Sequence, residues 1–185
     1  MKYYSESQIG AVADVLKKRG VIALKGDNAN YLVCNALDEE AVQLTLSIRK
    51  KPQDNPLLLY MANIQMVERY VPNISHQAFK LADSLWPCSM VMLLPVGKEI
   101  PEIVTCGLGA TGVCCPTSKF VRELSSLLNT PLIMISATSE EFSLDDPDIA
   151  GVVEYTHYAG ADPVIFDARE SLRRIQPDSE EALTS

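Results

Sequence analysis

The sequence predicts a single α/β domain, built on a twisted sheet of mixed parallel and antiparallel strands with flanking helices. Three observations support this fold class. The 185 residues suit one hydrophobic core. A hydrophobic content of 47% with 22% charged residues is typical of globular chains. Short apolar runs alternate with amphipathic helical segments. We therefore expect one domain over residues 1–177 and a polar tail over residues 178–185.

The first quarter of the chain predicts two helices and two strands. Ser5 and Gln8 form a capping-box pattern ahead of an apolar helical stripe over residues 9–16. Two apolar runs, 21–24 and 31–34, predict strands joined by a turn at residues 26–28. A second helix begins at the acidic residues 38–40, ends at the basic residues 49–51 and cannot continue through Pro52.

The rest of the chain continues the alternation of strands and helices. We predict strands at residues 57–61, 89–95, 112–115, 132–136 and 164–167. Pro72 divides two predicted helices, 64–70 and 75–85, and Thr117 is the predicted cap of a third. We also predict a short helix over residues 148–153.

Charge and cysteine content exclude several classes of protein. With 16 basic and 24 acidic residues, the net charge of −8 opposes binding to nucleic-acid phosphates unless basic groups cluster locally. The five cysteines lack the paired spacing of a disulfide framework or a structural zinc site. The apolar runs are far shorter than the roughly 18 residues of a membrane helix, and the N-terminus has no signal-peptide core. We expect a cytoplasmic protein with no membrane span.

Motifs leave the chemistry open when they are considered alone. The basic turn at residues 49–57 fits either an anion site or a helix end with favourable charges. Hydroxyl residues at 136, 138 and 139 follow a buried strand, as ligand contacts often do, although turns use the same residues. The acidic loop at 140–148 offers oxygen ligands for Mg²⁺ or Ca²⁺, but it lacks EF-hand spacing, so we favour a solvated loop with no metal site. The chain has no P-loop, dinucleotide-binding or HExxH motif.

Five patches occur in an order that resembles the YrdC/YciO family, over about residues 10–177. They are residues 20–24, 48–57, 85–87, 112–116 and 132–136. The resemblance implies the family's α/β fold and the activity of threonylcarbamoyl-AMP synthases. These enzymes combine threonine, bicarbonate and ATP, with Mg²⁺, into the intermediate that modifies adenosine 37 of tRNA. A nucleotide, and possibly threonine and bicarbonate, are the implied ligands.

The resemblance also implies site residues, several of which depart from the family pattern. Arg49 and Lys51 stand in the Lys-x-Arg-Pro loop with the two cations exchanged, and Ser136 and Thr138 stand in Ser-x-Asn. These four are the implied catalytic residues. The implied positions of the nucleotide and threonine sites are Lys25, Asp27, Asn28, Cys114 and Gln176. Asp27 keeps the acidic residue of the family pattern, and the other four positions depart from that pattern.

Two of these departures remove arginines that would face phosphate groups, at Cys114 and Gln176. A charge-assisted hydrogen bond contributes about 1.5–3 kcal/mol, so we expect weakened ATP binding and weakened or lost synthase activity. Lys25 and Lys119 are candidate substitutes for the missing arginines. The alternative is a non-catalytic module that binds a nucleotide, RNA or protein on the same fold, or a fold kept only as a scaffold.

Two further expectations concern geometry and RNA. We expect Arg49, Lys51 and Ser136 to meet on one concave surface, although their loops are far apart in sequence. We also expect RNA or tRNA to bind weakly at most, through the basic turn, because the net charge of −8 repels phosphates.

Overall fold

The computed structural model describes residues 2–26, 29–50, 53–137, 141–156 and 163–175. In these ranges the chain forms one mixed sheet of ten strands, flanked by six α-helices and a short 3₁₀ turn at Glu6–Gln8. The predicted α/β fold with a mixed sheet is confirmed. The predicted polar tail, 178–185, lies outside the described residues.

The helices and strands alternate along much of the chain. The helices are α1 Ile9–Lys17, α2 Glu39–Arg49, α3 Ile64–Tyr70, α4 His76–Leu85, α5 Glu102–Thr105 and α6 Lys119–Leu128. The strands are β1 Tyr3–Ser5, β2 Val21–Lys25, β3 Asn30–Asn35, β4 Leu59–Tyr60, β5 Met90–Pro95, β6 Ala110–Cys114, β7 Leu132–Ala137, β8 Ile149–Glu154, β9 Val164–Asp167 and β10 Arg173–Ile175. Across the sheet their order is β1-β8-β2-β3-β7-β4-β6-β5-β9-β10.

Local capping explains where the helices begin. The backbone N–H of Ser5 donates to Gln8 Oε1 at 2.9 Å, which confirms the predicted capping interaction before α1. Asp38 caps α2 by accepting from the Ala41 N–H at 3.2 Å. At the other end, α2 stops because Lys50 adopts the left-handed conformation, with φ 56°.

The two faces of the sheet are covered differently. On the first face, α1 and α6 bury a cluster that includes Val12, Leu16 and Leu124 against β2, β3 and β7. On the second face, α2, α3, α4 and α5 cover a larger cluster that includes Leu59 and Met92. Beside α6 and beyond it, the first face carries two cavities, whose described lining includes residues of β4, β5, β6 and β9. We call this uncovered part the open face.

Strand pairing overrides one helix prediction. Residues 148–153 were predicted as a short helix, but Ile149–Glu154 form β8, which pairs in parallel with both β1 and β2. Ile149, Val152 and Val153 are β-branched and buried, which suits a strand between two neighbours. The partners of β8 are more than 100 positions away, so local periodicity could not show them.

Other differences are smaller. The strand predicted at 57–61 is only two residues long, Leu59–Tyr60. Ser118, not Thr117, caps α6, because its side chain accepts the Val121 N–H. The short elements β1, α5 and β10 were not predicted from the sequence. Across the described ranges we find no helix whose length and hydropathy would let it span a bilayer.

Candidate functional site

A cavity of about 190 Å³ lies on the open face, between α6 and strands β3, β7, β4 and β6. Its floor is formed by side chains from alternate positions along the strands, which point to the same face of the sheet. Tyr60 pairs with Cys114 on one side and with Leu132 on the other, which places Tyr60 and Cys114 on the face that α1 and α6 cover. The described lining residues are Tyr31, Leu58, Tyr60, Cys88, Ser89, Met90, Val91, Cys114, Pro116, Thr117, Ser118, Val121, Met134, Tyr155 and Pro163.

None of the described lining residues of this cavity carries a charge at neutral pH. Three tyrosines contribute much of the wall, and the rings of Tyr31 and Tyr155 meet edge to face with centroids 6.4 Å apart. Burial raises the pKa of Tyr155 to about 12 and raises that of Tyr60 still further. Both phenols therefore stay neutral, and the cavity is suited to an uncharged group.

Cys114 is the implied nucleotide-site residue that does line the cavity. Its side chain is buried, and its thiol donates to the Leu59 carbonyl oxygen at 3.7 Å. Burial raises the pKa of the Cys114 thiol well above its usual range, because an anion there would be desolvated. The position where the family resemblance expects an arginine therefore holds a small neutral group.

Ser136 faces the same side of the sheet as this cavity. It is the cross-strand partner of Tyr31 in the β3–β7 pair, and Met134, two residues before it on β7, also lines the cavity. The Ser136 side chain is exposed to solvent. Its hydroxyl group is accordingly available to a ligand at the edge of the cavity.

Arg49 is the last residue of α2, a helix that packs on the second face. Its side chain is half-buried, and its Nε is a buried donor that finds no acceptor in the described part of the chain. Lys51 lies outside the described residues. The expected meeting of Arg49, Lys51 and Ser136 on one surface therefore stays a prediction.

The two lysines considered as substitutes for missing arginines are engaged elsewhere. Lys25, at the end of β2, forms an ion pair with Glu154 at 3.1 Å, and both side chains are exposed. Lys119, at the start of α6, is 80% exposed and pairs with Glu123. Neither lysine lines the 190 Å³ cavity or the larger cavity described below.

The remaining site residues predicted from the resemblance are not part of the described structure. These residues, Asp27, Asn28, Thr138 and Gln176, lie outside the described residues. Their roles stay predictions. Within the described ranges, no group of three histidine, cysteine, aspartate or glutamate side chains is placed to hold a metal ion.

A second cavity, of about 350 Å³, adjoins the first on the open face and shares Leu58, Val91 and Pro163 with it. Its other described lining residues are Asn55, Pro56, Leu93, Leu108, Ala110, Thr111, Gly112, Ile165 and Arg169. Arg169 is the charged residue among them. Sequence reasoning missed it, because no motif marks an arginine two residues after a strand.

Arg169 is held by a buried carboxylate. Its Nε and Nη2 each donate to Asp167 at 2.9 Å, and Arg173 Nη2 donates to the same carboxylate at 3.0 Å. Asp167 is only 5% exposed. The hydrogen bonds from Arg169 are the main reason that the pKa of the Asp167 carboxyl lies well below its usual range. The arginine is thereby fixed at the wall of the cavity.

Proteins of known name resemble this chain in sequence or in fold. Threonylcarbamoyl-AMP synthase of Pyrococcus abyssi is 29% identical over 132 residues, which are 71% of this chain and 39% of that enzyme. The crystal structure of P. abyssi Sua5 complexed with L-threonine has a TM-score of 0.76 at 23% identity, over 90% of this chain and 53% of that one. E. coli YciO has a TM-score of 0.73 at 16% identity, over 99% of this chain and 98% of that one.

The two structural similarities show a shared fold, and the match to the synthase is partial. The chain spans less than half the length of that P. abyssi enzyme. The profile of the Sua5/YciO/YrdC family, described as telomere recombination, matches residues 14–152 of this chain. Since that match covers well over half of the 185 residues, the chain belongs to the Sua5/YciO/YrdC family.

Proposed function

We propose that this protein is a nucleotide-binding relative of the threonylcarbamoyl-AMP synthases in which synthesis from threonine, bicarbonate and ATP is very slow or lost. The main support is the uncharged lining of the 190 Å³ cavity in its described part, with a neutral thiol at Cys114. Adenylyl transfer leaves pyrophosphate, whose developing charge needs preorganised cations. Removing one such group typically slows catalysis by about 10²- to 10³-fold.

The cavity suits one part of ATP better than the other. Tyrosine rings such as Tyr31, Tyr60 and Tyr155 offer faces and edges against which an adenine base can pack. The described lining residues offer no counter-charge to a triphosphate. Mg²⁺ is usually held by one or two carboxylates together with substrate phosphates, and no aspartate or glutamate is among the described lining residues. The described lining therefore does not fit Mg²⁺ and a triphosphate.

Ser136 is the described residue best placed to contact a bound molecule at the cavity edge. Its hydroxyl can donate one hydrogen bond and accept others, and it lies on the cavity face beside Tyr31. In the proposal it orients the ligand. Arg49 lies at the end of α2, which packs on the second face, so the proposal gives it no contact with the ligand.

Two measurements on the purified chain test the proposal. Calorimetry should detect binding of ATP or AMP, with little loss of affinity on going from ATP to AMP because the phosphates contribute little. Pyrophosphate release should stay close to background when threonine and bicarbonate are both present. Brisk release that requires both substrates would refute the proposed loss of activity, and absence of binding to either nucleotide would refute nucleotide binding.

A gain of function provides a sharper version of the test. Cys114→Arg together with Gln176→Arg restores both arginines of the family pattern and should raise ATP affinity more than AMP affinity. Leu85→Arg together with Leu127→Arg is the matched control, because these two leucines are 49% and 51% exposed and neither is a described lining residue of the two cavities, so the pair adds the same two charges elsewhere. Equal gains in the double variant and the control would mean that net charge alone governs affinity.

The uncharged cavity also favours the second candidate, a non-catalytic binding module. Such a module would bind an uncharged group in the cavity and would need no cations for a leaving group. Pyrophosphate release by the double arginine variant distinguishes the two candidates, because both of them predict similar affinities for adenosine and ATP. If that release is absent even in the double arginine variant, the module is the better description.

A further inference from the structure

The 350 Å³ cavity combines apolar walls with one fixed arginine. Leu58, Val91, Leu93 and Ile165 are among its lining residues, and Arg169 is the charged side chain among the described ones. An apolar cavity with a single polar anchor is the usual form of a small-molecule site. This cavity is separate in its chemistry from the neutral, tyrosine-lined cavity beside it.

The hydrogen bonds of Arg169 leave one side of its guanidinium group unused. Its Nε and one Nη2 proton bind Asp167, at 2.9 Å each. A guanidinium group has five N–H donors in a planar fork, so the pair of donors at the tip, on Nη1 and Nη2, remains. Within the described residues Nη1 has no acceptor. That tip has the geometry that receives a second carboxylate in a bidentate contact.

The charge around the anchor fits a singly charged ligand. Asp167 is the carboxylate shared by Arg169 and Arg173, so this ion-pair cluster carries one positive charge in excess. Arg169 is mostly buried, with 21% of its side chain exposed, so its contact with an anion is shielded from solvent. Asp167 keeps the guanidinium in place before any ligand arrives, which lowers the ordering cost of binding.

We propose that the 350 Å³ cavity binds a monocarboxylate with an apolar body, whose carboxylate pairs with the tip of Arg169 and whose body packs on Leu93, Ile165 and the neighbouring apolar walls. This ligand class differs from threonine, which is small and polar. The inference does not depend on the proposed nucleotide binding, because the two cavities have different linings.

Calorimetric titration of the full chain with 3-phenylpropanoate tests this site. The neutral 3-phenylpropanamide has nearly the same shape, so it should bind at least about tenfold more weakly because it forms no charge-assisted contact. Phenyl phosphate should also bind more weakly than the carboxylate. Equal binding of acid and amide, tighter binding of the phosphate, or no binding of the acid would each overturn the proposal.

Variants locate the site. Arg169→Gln should weaken binding of the acid by about tenfold or more, whereas Arg174→Gln should leave it within about twofold, because Arg174 is an exposed arginine of β10 that does not line the cavity. Since Arg169→Gln also disturbs Asp167, a second variant is needed. Ala110→Leu narrows the cavity without touching that ion pair and should abolish binding. Wild-type affinity in Ala110→Leu, or in a folded Arg169→Gln protein, would refute the site.

Discussion

Replacing Asp167 with asparagine should destabilise the fold substantially. The Asp167 side chain is 7% exposed and accepts hydrogen bonds from Arg169 Nε and Nη2 at 2.9 Å and from the Arg169 backbone N–H at 3.1 Å. Asparagine removes the negative charge and places its amide N–H group opposite an N–H group of Arg169. Loss of the charge-assisted contacts to the mostly buried Arg169 should cost about 2–3 kcal/mol. Arg173 is 53% exposed, so solvent screening limits its share to less than about 1 kcal/mol.

The expected loss of unfolding free energy at pH 7 is therefore about 3 kcal/mol. For a chain of 185 residues, this corresponds to a fall in Tm of about 6–12 °C. Urea unfolding monitored by circular dichroism measures the free energy, and Arg174→Gln is a control that should change it by less than about 0.5 kcal/mol.

The pH dependence has a definite sign. Because the folded-state pKa of Asp167 lies below its unfolded value near 3.9, the wild-type advantage is fully present above that value. It declines as pH falls toward the lower, folded-state pKa. The gap between wild type and Asp167→Asn should therefore narrow between about pH 4 and the lowest pH at which both remain folded. A gap below about 0.5 kcal/mol at pH 7, or one that does not narrow in acid, would refute this account.

Three other predictions concern tyrosine ionisation, thiol reactivity and RNA. Burial raises the pKa of Tyr155 to about 12, above its unfolded value near 10, so its contribution to stability should be complete below pH 10 and decline as pH rises toward 12. Unfolding titrations should show that decline in wild type and a smaller one in Tyr155→Phe; identical profiles would contradict it. Iodoacetamide should label the exposed Cys106 in the native protein. It should label Cys34 only after unfolding, because that thiol is buried and burial raises its pKa to about 12. Mass spectrometry measures both reactions, and labelling of Cys34 in the native protein would contradict the prediction. RNA binding, measured by fluorescence anisotropy, should be weak, salt-sensitive and reduced by Lys51→Glu; tight binding at physiological salt that survives this substitution would exclude the basic turn.

Local sequence patterns were sufficient to predict most of the helices and several of the strands. The helix α2 illustrates why, because Asp38 caps its start and the basic residues near Arg49 suit its end. These interactions join residues within one or two turns, so the sequence alone displays both partners. Ordered family patches likewise identified the family, since they depend on residue identity and spacing and not on contacts.

The pairing of strands that are far apart in the chain could not be predicted from the sequence. The segment Ile149–Glu154 became a strand because β1 and β2 hydrogen-bond to it from the other end of the chain. Sheet pairing of this kind is decided by the burial of both faces, which a local window does not contain.

The sequence by itself predicted the α/β class and the family, and it places Cys114 where the family resemblance implies an arginine. Only the tertiary structure decided that Cys114 lies in an uncharged, tyrosine-lined cavity and that Arg169 is the cation beside it. The physical reason is that cavity walls are assembled from side chains of several strands, whose facing depends on register. Residue types can be read along a chain, but the charge a ligand meets depends on which of them the sheet brings together.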